Sequence, residues 1–179
     1  FGHRVVLTRE PGGSGLGDKL RELILASRPK APATEFLLFA AVRTEHLANL
    51  VVPALARGDW VVCDRFIDST RVYQGRLYSV EPDLIKTLER YTVAPDFPDL
   101  TLILDLPPEA GLERANTRGT LSRYDAERIE THVALRQGFL EIAEAEPKRC
   151  MLIDGSLSPS SVETAVWQAV SGRLLAKVL

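Results

Sequence analysis

The feature that most constrains this fold is an alternation of short apolar runs with longer stretches of helical periodicity. Four runs rich in β-branched residues are interpreted as strands buried on both faces of a sheet. They cover residues 4–8, 60–64, 100–105 and 150–154. Strands that alternate with helices are typical of βαβ units, in which successive strands run parallel. The sequence therefore predicts an α/β fold built on a parallel sheet.

The helical stretches follow one another without a linker or an internal repeat. Apolar residues recur at helical spacing over residues 16–26, 34–55, 82–93 and 124–145, and another helix is expected to start at Pro108. Pro53 should kink or restart the second helix, because proline lacks the amide N–H that a helix interior uses. Ser158 and Pro159 predict the N-cap and the first position of the last helix. A chain of 179 residues is expected to form a single domain over 1–179.

Charge and cysteine content narrow the classes of partner. The formal net charge is −2, which gives no reason to expect a nucleic acid or an anionic membrane as partner. Cys63 and Cys150 lie apart inside apolar runs, so free thiols in a reducing cytosol are the expectation. The three histidines show no metal-ligand spacing. If a phosphate binds here, it binds to a local cluster of arginines.

Charged residues end the first two predicted strands. Arg9 and Glu10 directly follow the first strand, and Asp64 and Arg65 lie at the end of the second. In an open parallel sheet, ligands bind beyond the carboxyl ends of the strands, so these residues suggest an anion site with paired counter-charges. The turn that follows, residues 11–13, offers glycines and a helix start to an anion. An ordinary strand-to-helix turn and a structural ion pair remain open alternatives.

Two further groups suggest nucleotide chemistry. Phe39 and Arg43 are four residues apart on one helix face, and a ring beside a guanidinium can hold a flat base that carries carbonyl groups. Without other evidence, a core phenylalanine beside a solvated arginine is the more frequent arrangement. Arg114, Arg118 and Arg123 flank or lie in a loop that could close over transferring phosphates. A solvated basic loop would have the same composition.

Taken in order, these segments resemble the bacterial thymidylate kinases over essentially the whole chain. The matching segments are Thr8-Arg9-Glu10-Pro11-Gly12-Gly13, Leu38-Phe39-Ala40-Ala41-Val42-Arg43, Asp64-Arg65-Phe66, Asp68-Ser69-Thr70-Arg71-Val72-Tyr73-Gln74-Gly75, Pro98-Asp99-Leu100-Thr101, Asp105-Leu106-Pro107-Pro108-Glu109 and Gly111-Leu112-Glu113-Arg114-Ala115. The resemblance implies a P-loop nucleoside monophosphate kinase-like three-layer fold. It also implies phosphorylation of dTMP to dTDP with MgATP, on the route to dTTP.

The resemblance assigns roles at the acceptor nucleotide. It implies that Phe39 stacks on thymine and that Arg43 hydrogen-bonds its carbonyl. It also implies that Thr70 contacts the base, with Ser69 beside it. Tyr73 would lie near the sugar and help to exclude a 2′-hydroxyl, with Gln74 as its neighbour.

The resemblance also assigns roles at the phosphates. It implies that Arg65 holds the acceptor phosphate with Asp64 beside it, and that Arg9 and Glu10 frame the phosphate and metal region. Asp64 and Glu10 would act on Mg²⁺ indirectly, through its waters. A lid at about residues 114–126 would bring Arg114, Arg118 and Arg123 to the ATP phosphates, with Arg118 and Arg123 in catalytic roles. A cytoplasmic homodimer packed through the helix of Phe39 is implied as well.

The sequence departs from the family in two places. The family begins with a strand and a phosphate loop of the form G-x-x-x-x-G-K-[ST], and none of the 179 residues forms that motif. We therefore expect roughly 30 further residues before Phe1, which would carry the central strand and this loop. Residues 73–77 look shorter than the corresponding family loop, which leaves open whether residues are missing near 75–76.

Three alternatives to a thymidylate kinase remain open. One is a kinase for another nucleoside monophosphate or for a deoxynucleoside. A second is a catalytically silent nucleotide-binding relative without the phosphate loop. The third is a purely structural or interaction domain.

Overall fold

The computed structural model describes residues 2–26, 31–119 and 124–175. The chain divides into two units, an N-terminal unit Phe1–Phe97 and a C-terminal unit Pro98–Leu179. Each unit contains one parallel pair of strands. The parallel α/β character predicted from the alternation of strands and helices is therefore confirmed.

The N-terminal unit is built on two parallel strands. Strand β1 (Val5–Arg9) pairs with β2 (Trp60–Asp64), with Val5 opposite Trp60 and Arg9 opposite Asp64. Its helices are α1 (Gly15–Ala26), α2 (Pro32–His46), α3 (Val52–Ala56), α4 (Ile67–Thr70) and α5 (Pro82–Thr92). A π-helical segment, Arg71–Leu77, continues α4. Phe36, Val80 and Ile85 form a buried apolar cluster between α2 and α5.

Helix α2 continues through a π-helical turn, Leu47–Val51, into α3. Pro53 lies in the first turn of α3, directly after the π-helical turn, where the hydrogen-bond pattern of the helix changes. By length and composition alone, the 25-residue run Pro32–Ala56 is apolar enough to cross a membrane. Arg43 and His46 in this run are buried and hydrogen-bond with Glu10. We therefore interpret this run as a core helix, because core helices of other proteins can have the same length and apolar composition.

The C-terminal unit pairs β3 (Thr101–Asp105) with β4 (Cys150–Asp154), with Asp105 opposite Asp154. Its helices are α6 (Pro108–Arg118), α7 (Ile129–Ala145) and α8 (Pro159–Arg173). The predicted start of the last helix is confirmed, because the Ser158 hydroxyl accepts a hydrogen bond from the Ser161 N–H at 3.2 Å. Helix α7 begins later than the periodicity suggested, because residues 124–126 form a turn.

The prediction that every strand is buried on both faces is wrong for these two sheets. Leu7 in β1 is 77% exposed and Leu104 in β3 is 57% exposed. Successive side chains of a strand point to opposite faces of its sheet, and at alternate positions of β1 they are exposed. An apolar run in the sequence predicts that a strand forms. How much of that strand is buried depends on what packs against each face of the sheet.

Candidate functional site

The charged ends of β1 and β2 lie side by side. Arg9 is the register partner of Asp64, and the backbone N–H of Glu10 donates to the Asp64 carbonyl at 2.9 Å. Parallel pairing brings the carboxyl ends of both strands to one edge. The predicted group of Arg9, Glu10, Asp64 and Arg65 is therefore brought together by the sheet.

Glu10 is the centre of a buried hydrogen-bond network. Its Oε2 accepts from Arg43 Nε at 2.8 Å, and its Oε1 lies 3.1 Å from His46 Nδ1. The opposite ring nitrogen, His46 Nε2, lies 2.8 Å from the Thr8 hydroxyl. Glu10, Arg43 and His46 are each at least 95% buried. A buried ion pair with these additional hydrogen bonds has a defined geometry, so Glu10 fixes the guanidinium of Arg43.

Arg43 is held on three sides. Besides Glu10, its Nη2 donates to the Thr70 hydroxyl at 2.9 Å, and its guanidinium lies 5.3 Å from the centre of the Phe66 ring. Within the described residues, Arg43 Nη1 has no hydrogen-bond partner. Phe39, one turn earlier on α2, is half-buried. The ring of Phe39 and this remaining donor together suit a flat ligand with a carbonyl group.

Helix α4 and the π-helical segment carry the other predicted base and sugar contacts. Ser69 is half-buried and Thr70 is buried. Gln74 is buried, and its Nε2 donates to Glu35 Oε1 on α2 at 2.9 Å. Residues 73–77, which looked short at the sequence level, complete this helical segment. A π-helical turn directs side chains differently from an α-helical one and is frequent at functional sites.

Arg65 has a backbone conformation that non-glycine residues rarely adopt. Its φ is +63°, in the left-handed region. The Cys63 thiol donates to the Arg65 carbonyl at 3.0 Å, and the Arg65 guanidinium lies 5.3 Å from the centre of the Tyr73 ring. Burial, together with the negative charges of Glu10 and Asp64, raises the pKa of the Cys63 thiol to about 12. A protonated Cys63 therefore remains available as this donor.

Arg21 on α1 adds a further cation near the ends of β1 and β2. Its Nη1 donates to the Pro11 carbonyl at 2.7 Å. Burial lowers the pKa of Arg21, and the positive charges of Arg9 and Arg65 lower it further, against the opposing effect of Asp18 and Asp64. Arg9, Arg21 and Arg65 thus share this region with Asp18 and Asp64. Such a group of arginines with paired counter-charges can bind an anionic ligand.

The arginines predicted for the lid belong to the C-terminal unit. Arg114 on α6 donates through Nη1 to the Gly155 carbonyl at 2.8 Å. Arg118 is the last residue of α6. Arg123 lies outside the described residues.

The strand-end acids of the C-terminal unit are used within the protein. Asp105 accepts two hydrogen bonds from Arg136, at 2.6 and 2.8 Å, and these bonds lower the pKa of Asp105. The hydroxyl and backbone N–H of Ser156 lower the pKa of Asp154. These two acids therefore have structural partners.

Sequence reasoning missed three residues of the site. Glu35 and His46 share the buried stripe of α2 with Phe39 and Arg43, because positions 35, 39, 43 and 46 follow helical spacing. That spacing was the available signal for both. Arg21 carried no comparable signal, because only the packing of α1 brings its guanidinium to the Pro11 carbonyl.

The carboxylates near the ends of β1 and β2 offer little direct ligation to Mg²⁺. The described residues contain no group of three or more histidine, cysteine, aspartate or glutamate side chains that could hold a metal ion. Both oxygens of Glu10 are engaged by Arg43 and His46. Asp64 is exposed. The residues therefore suit an indirect contact through metal-bound water at Asp64.

Comparisons with known proteins identify the family of this chain. The family model described as thymidylate kinase matches residues 1–166. A thymidylate kinase of Bradyrhizobium sp. (strain BTAi1) is 50% identical over 182 residues, covering 99% of this chain and 80% of the relative. One from Rhodopseudomonas palustris (strain CGA009) is 48% identical over 178 residues, covering 96% and 77%. The crystal structure of thymidylate kinase from Ehrlichia chaffeensis matches with a TM-score of 0.74 and 32% identity, covering 93% of this chain and 80% of that one. The chain therefore belongs to the thymidylate kinase family.

Proposed function

We propose that the side chains around Arg43 and Arg65 in the N-terminal unit form the acceptor site for dTMP. As a member of the thymidylate kinase family, the protein transfers a phosphoryl group to dTMP in an ATP-dependent reaction, which gives dTDP. The observation that carries the proposed site is the buried guanidinium of Arg43, held by Glu10 and Thr70 beside the half-buried ring of Phe39.

The base is recognised from helix α2. Phe39 stacks on thymine, and Arg43 donates from Nη1 to a ring carbonyl. The support is geometric, because a guanidinium with Nε and Nη2 already engaged has one edge left for a ligand. Thr70 and Ser69 line the base side, and Tyr73 and Gln74 lie at the sugar. Glu35 holds the Gln74 amide in place.

The acceptor phosphate binds at the ends of β1 and β2. Arg65 contacts its oxygens, with Arg9 and Arg21 adding positive charge. Asp64 would hold Mg²⁺ indirectly, through its bound water, when the metal is present with ATP. The metal would neutralise charge on the transferring group. Glu10 acts on this chemistry only by fixing Arg43. The protein thus contributes positioning and electrostatics to an in-line transfer.

The lid arginines act on the donor side. Arg114, Arg118 and Arg123 contact the ATP phosphates from a lid at about residues 114–126 of a single domain, 1–179. Arg118 and Arg123 stabilise the charge that develops on the transferring group. The resemblance to the family is the support for this assignment.

Phe39→Ala tests the base site. We expect the KM for dTMP to rise about 10- to 100-fold with little change in kcat, because stacking of a base on an aromatic ring contributes about 1–3 kcal/mol. Steady-state ATP consumption with dTMP measures both constants. Phe36→Leu, which changes a buried ring of the same helix, is the control and should lower stability without moving the KM. An unchanged KM in Phe39→Ala would return that ring to the core.

The same assay with an acceptor panel tests the substrate. Candidate acceptors are dTMP, dUMP, dCMP, AMP and thymidine. We expect dTMP to have the highest kcat/KM. Preference for another monophosphate or for thymidine would favour the corresponding alternative kinase.

The protein acts in the cytoplasm as a homodimer that packs through α2 and its continuation into α3. The support is an exposed stripe at helical spacing on one side of this run, made up of Leu37, Ala41, Thr44, Ala48, Val52 and Leu55. Such a stripe of small and apolar residues can pack against a second copy of itself.

Leu37→Glu tests this dimer. We expect sedimentation equilibrium to show a shift from dimer to monomer, because a buried charge without a partner opposes association. Leu84→Glu, at a similarly exposed leucine on α5, is the matched control and should stay dimeric. A Leu37→Glu protein that remains dimeric would place the interface elsewhere.

A further inference from the structure

His46 is a buried residue whose two ring nitrogens both have partners. The side chain is 0% exposed, so it does not reach a ligand bound in the site. Nδ1 lies 3.1 Å from Glu10 Oε1 and Nε2 lies 2.8 Å from the Thr8 hydroxyl. A carboxylate oxygen only accepts hydrogen bonds, so Nδ1 donates to Glu10, and Nε2 can accept from the hydroxyl of Thr8. This pairing selects one tautomer and one ring orientation.

The turn after β1 holds the ring in that orientation. A Cβ built on Gly13 would collide with His46 Cδ2 and would lie 2.8 Å from the Thr8 hydroxyl. Gly13 also has a φ of +81°, a conformation that favours glycine. Any side chain at position 13 would therefore displace the imidazole.

The orientation of His46 reaches Arg43 through one carboxylate. Glu10 places Oε1 at His46 and Oε2 at the Arg43 Nε. Because the His46 ring holds one oxygen of Glu10, the plane of the Glu10 carboxylate is defined. The other oxygen of Glu10 then fixes the orientation of the Arg43 guanidinium. Without His46, Glu10 and Arg43 keep their attraction but lose this restraint on rotation, since an ion pair alone is less directional than a set of hydrogen bonds.

We propose that His46 is a positioning residue for base recognition, which acts on the acceptor through Glu10 and Arg43. The inference rests on the proposed role of Arg43 at the base carbonyl. It adds that the selectivity of the site for a carbonyl over an amino group depends on the chain from Thr8 through His46 and Glu10 to Arg43. Thr70 completes the restraint from the opposite side.

His46→Leu removes both hydrogen bonds with an apolar side chain. We expect the KM for dTMP to rise about 10-fold while kcat changes less than about 3-fold. The preference for dTMP over 5-methyl-dCMP, which carries an amino group in place of the 4-carbonyl, should fall about 10-fold. His46→Asn, whose amide can replace Nδ1 as the donor to Glu10, should recover most of both losses. If His46→Leu does not fold, Thr8→Val removes only the hydrogen bond at Nε2. It should raise the KM and lower the preference for dTMP in the same direction but by less.

A matched core change separates positioning from loosened packing. Val42→Ala alters a fully buried apolar residue on the same helix. It should lower the melting temperature and leave both the KM and the preference unchanged. If His46→Leu and His46→Asn behave like Val42→Ala, His46 is a structural residue and the inference is overturned.

A double-mutant cycle with Arg43→Lys separates this inference from the proposed function. Lysine keeps a positive charge near Glu10 but lacks the planar fork. If His46 acts through Arg43, His46→Leu should change the KM less than about 2-fold in the Arg43→Lys background. A full effect in that background overturns the inference alone. An unchanged KM and preference in Arg43→Lys itself would overturn the proposed role of Arg43 and the inference with it.

Discussion

Replacing Arg65 with alanine is expected to lower kcat/KM for dTMP about 100- to 1000-fold while the protein stays folded. A fixed cation that holds the acceptor phosphate contributes to both positioning and charge stabilisation, and loss of one such group typically costs about 3–4 kcal/mol in the transition state. Arg65 is exposed and its main described contact is with the Tyr73 ring, so its removal should lower the free energy of unfolding by no more than about 1 kcal/mol. Steady-state kinetics and urea unfolding of the same preparations measure the two effects.

The backbone at Arg65 permits a sharper version of this test. Its φ of +63° is unfavourable for a residue with a Cβ, whereas glycine adopts it freely. Arg65→Gly should therefore be about 1 kcal/mol more stable than Arg65→Ala and equally inactive. Arg57→Ala, at an arginine whose side chain is half exposed and paired with Asp59, is the matched control and should keep full activity. Normal turnover in a folded Arg65→Ala protein would remove Arg65 from the phosphate site.

Replacing Glu10 with alanine is expected to lower the free energy of unfolding by about 3–5 kcal/mol. The change leaves the buried guanidinium of Arg43 without its carboxylate and His46 without its acceptor. Breaking a buried pair from one side is costly because an uncompensated charge remains in a poorly solvated place. A loss of this size is a large fraction of the stability of a typical domain. Urea unfolding at equilibrium measures it.

The chain offers a matched control for Glu10→Ala. Glu130 pairs with Arg128 through side chains that are 68% and 83% exposed. Exposed pairs contribute about 0–1 kcal/mol, so Glu130→Ala should have little effect on stability. Similar losses in the two variants would mean that burial of the Glu10 network contributes nothing beyond an ordinary surface pair.

Much of the fold could be predicted from local pattern. Strands β2 and β4 have the predicted bounds, and the last helix begins at its predicted cap. Period-specific apolar spacing and capping chemistry are properties of a few neighbouring residues, so they are readable in sequence. The π-helical segment Arg71–Leu77 was not anticipated. Its hydrogen bonds differ from those of an α-helix by one residue, and no residue type marks that difference.

The candidate site divides in the same way. Phe39 and Arg43 could be placed on one helix face, and Arg9 and Arg65 at strand ends, from spacing alone. The network around Glu10 could not, because Glu10 and Arg43 are 33 positions apart and Arg43 and Thr70 are 27 apart. Whether Arg43 is a solvated surface residue or a buried, restrained donor depends on these long-range partners.

The sequence by itself determined the type and order of the strands and of the longer helices, the family, and the residue types available to the site. Tertiary structure decided which of those residues meet, that Arg65 takes a left-handed backbone, that His46 and Glu35 belong to the site, and that Leu7 remains exposed. The physical reason is the distance along the chain over which each effect acts. Propensity, periodicity and capping act within about one helical turn, whereas burial and the pairing of charges depend on what the rest of the chain brings into contact.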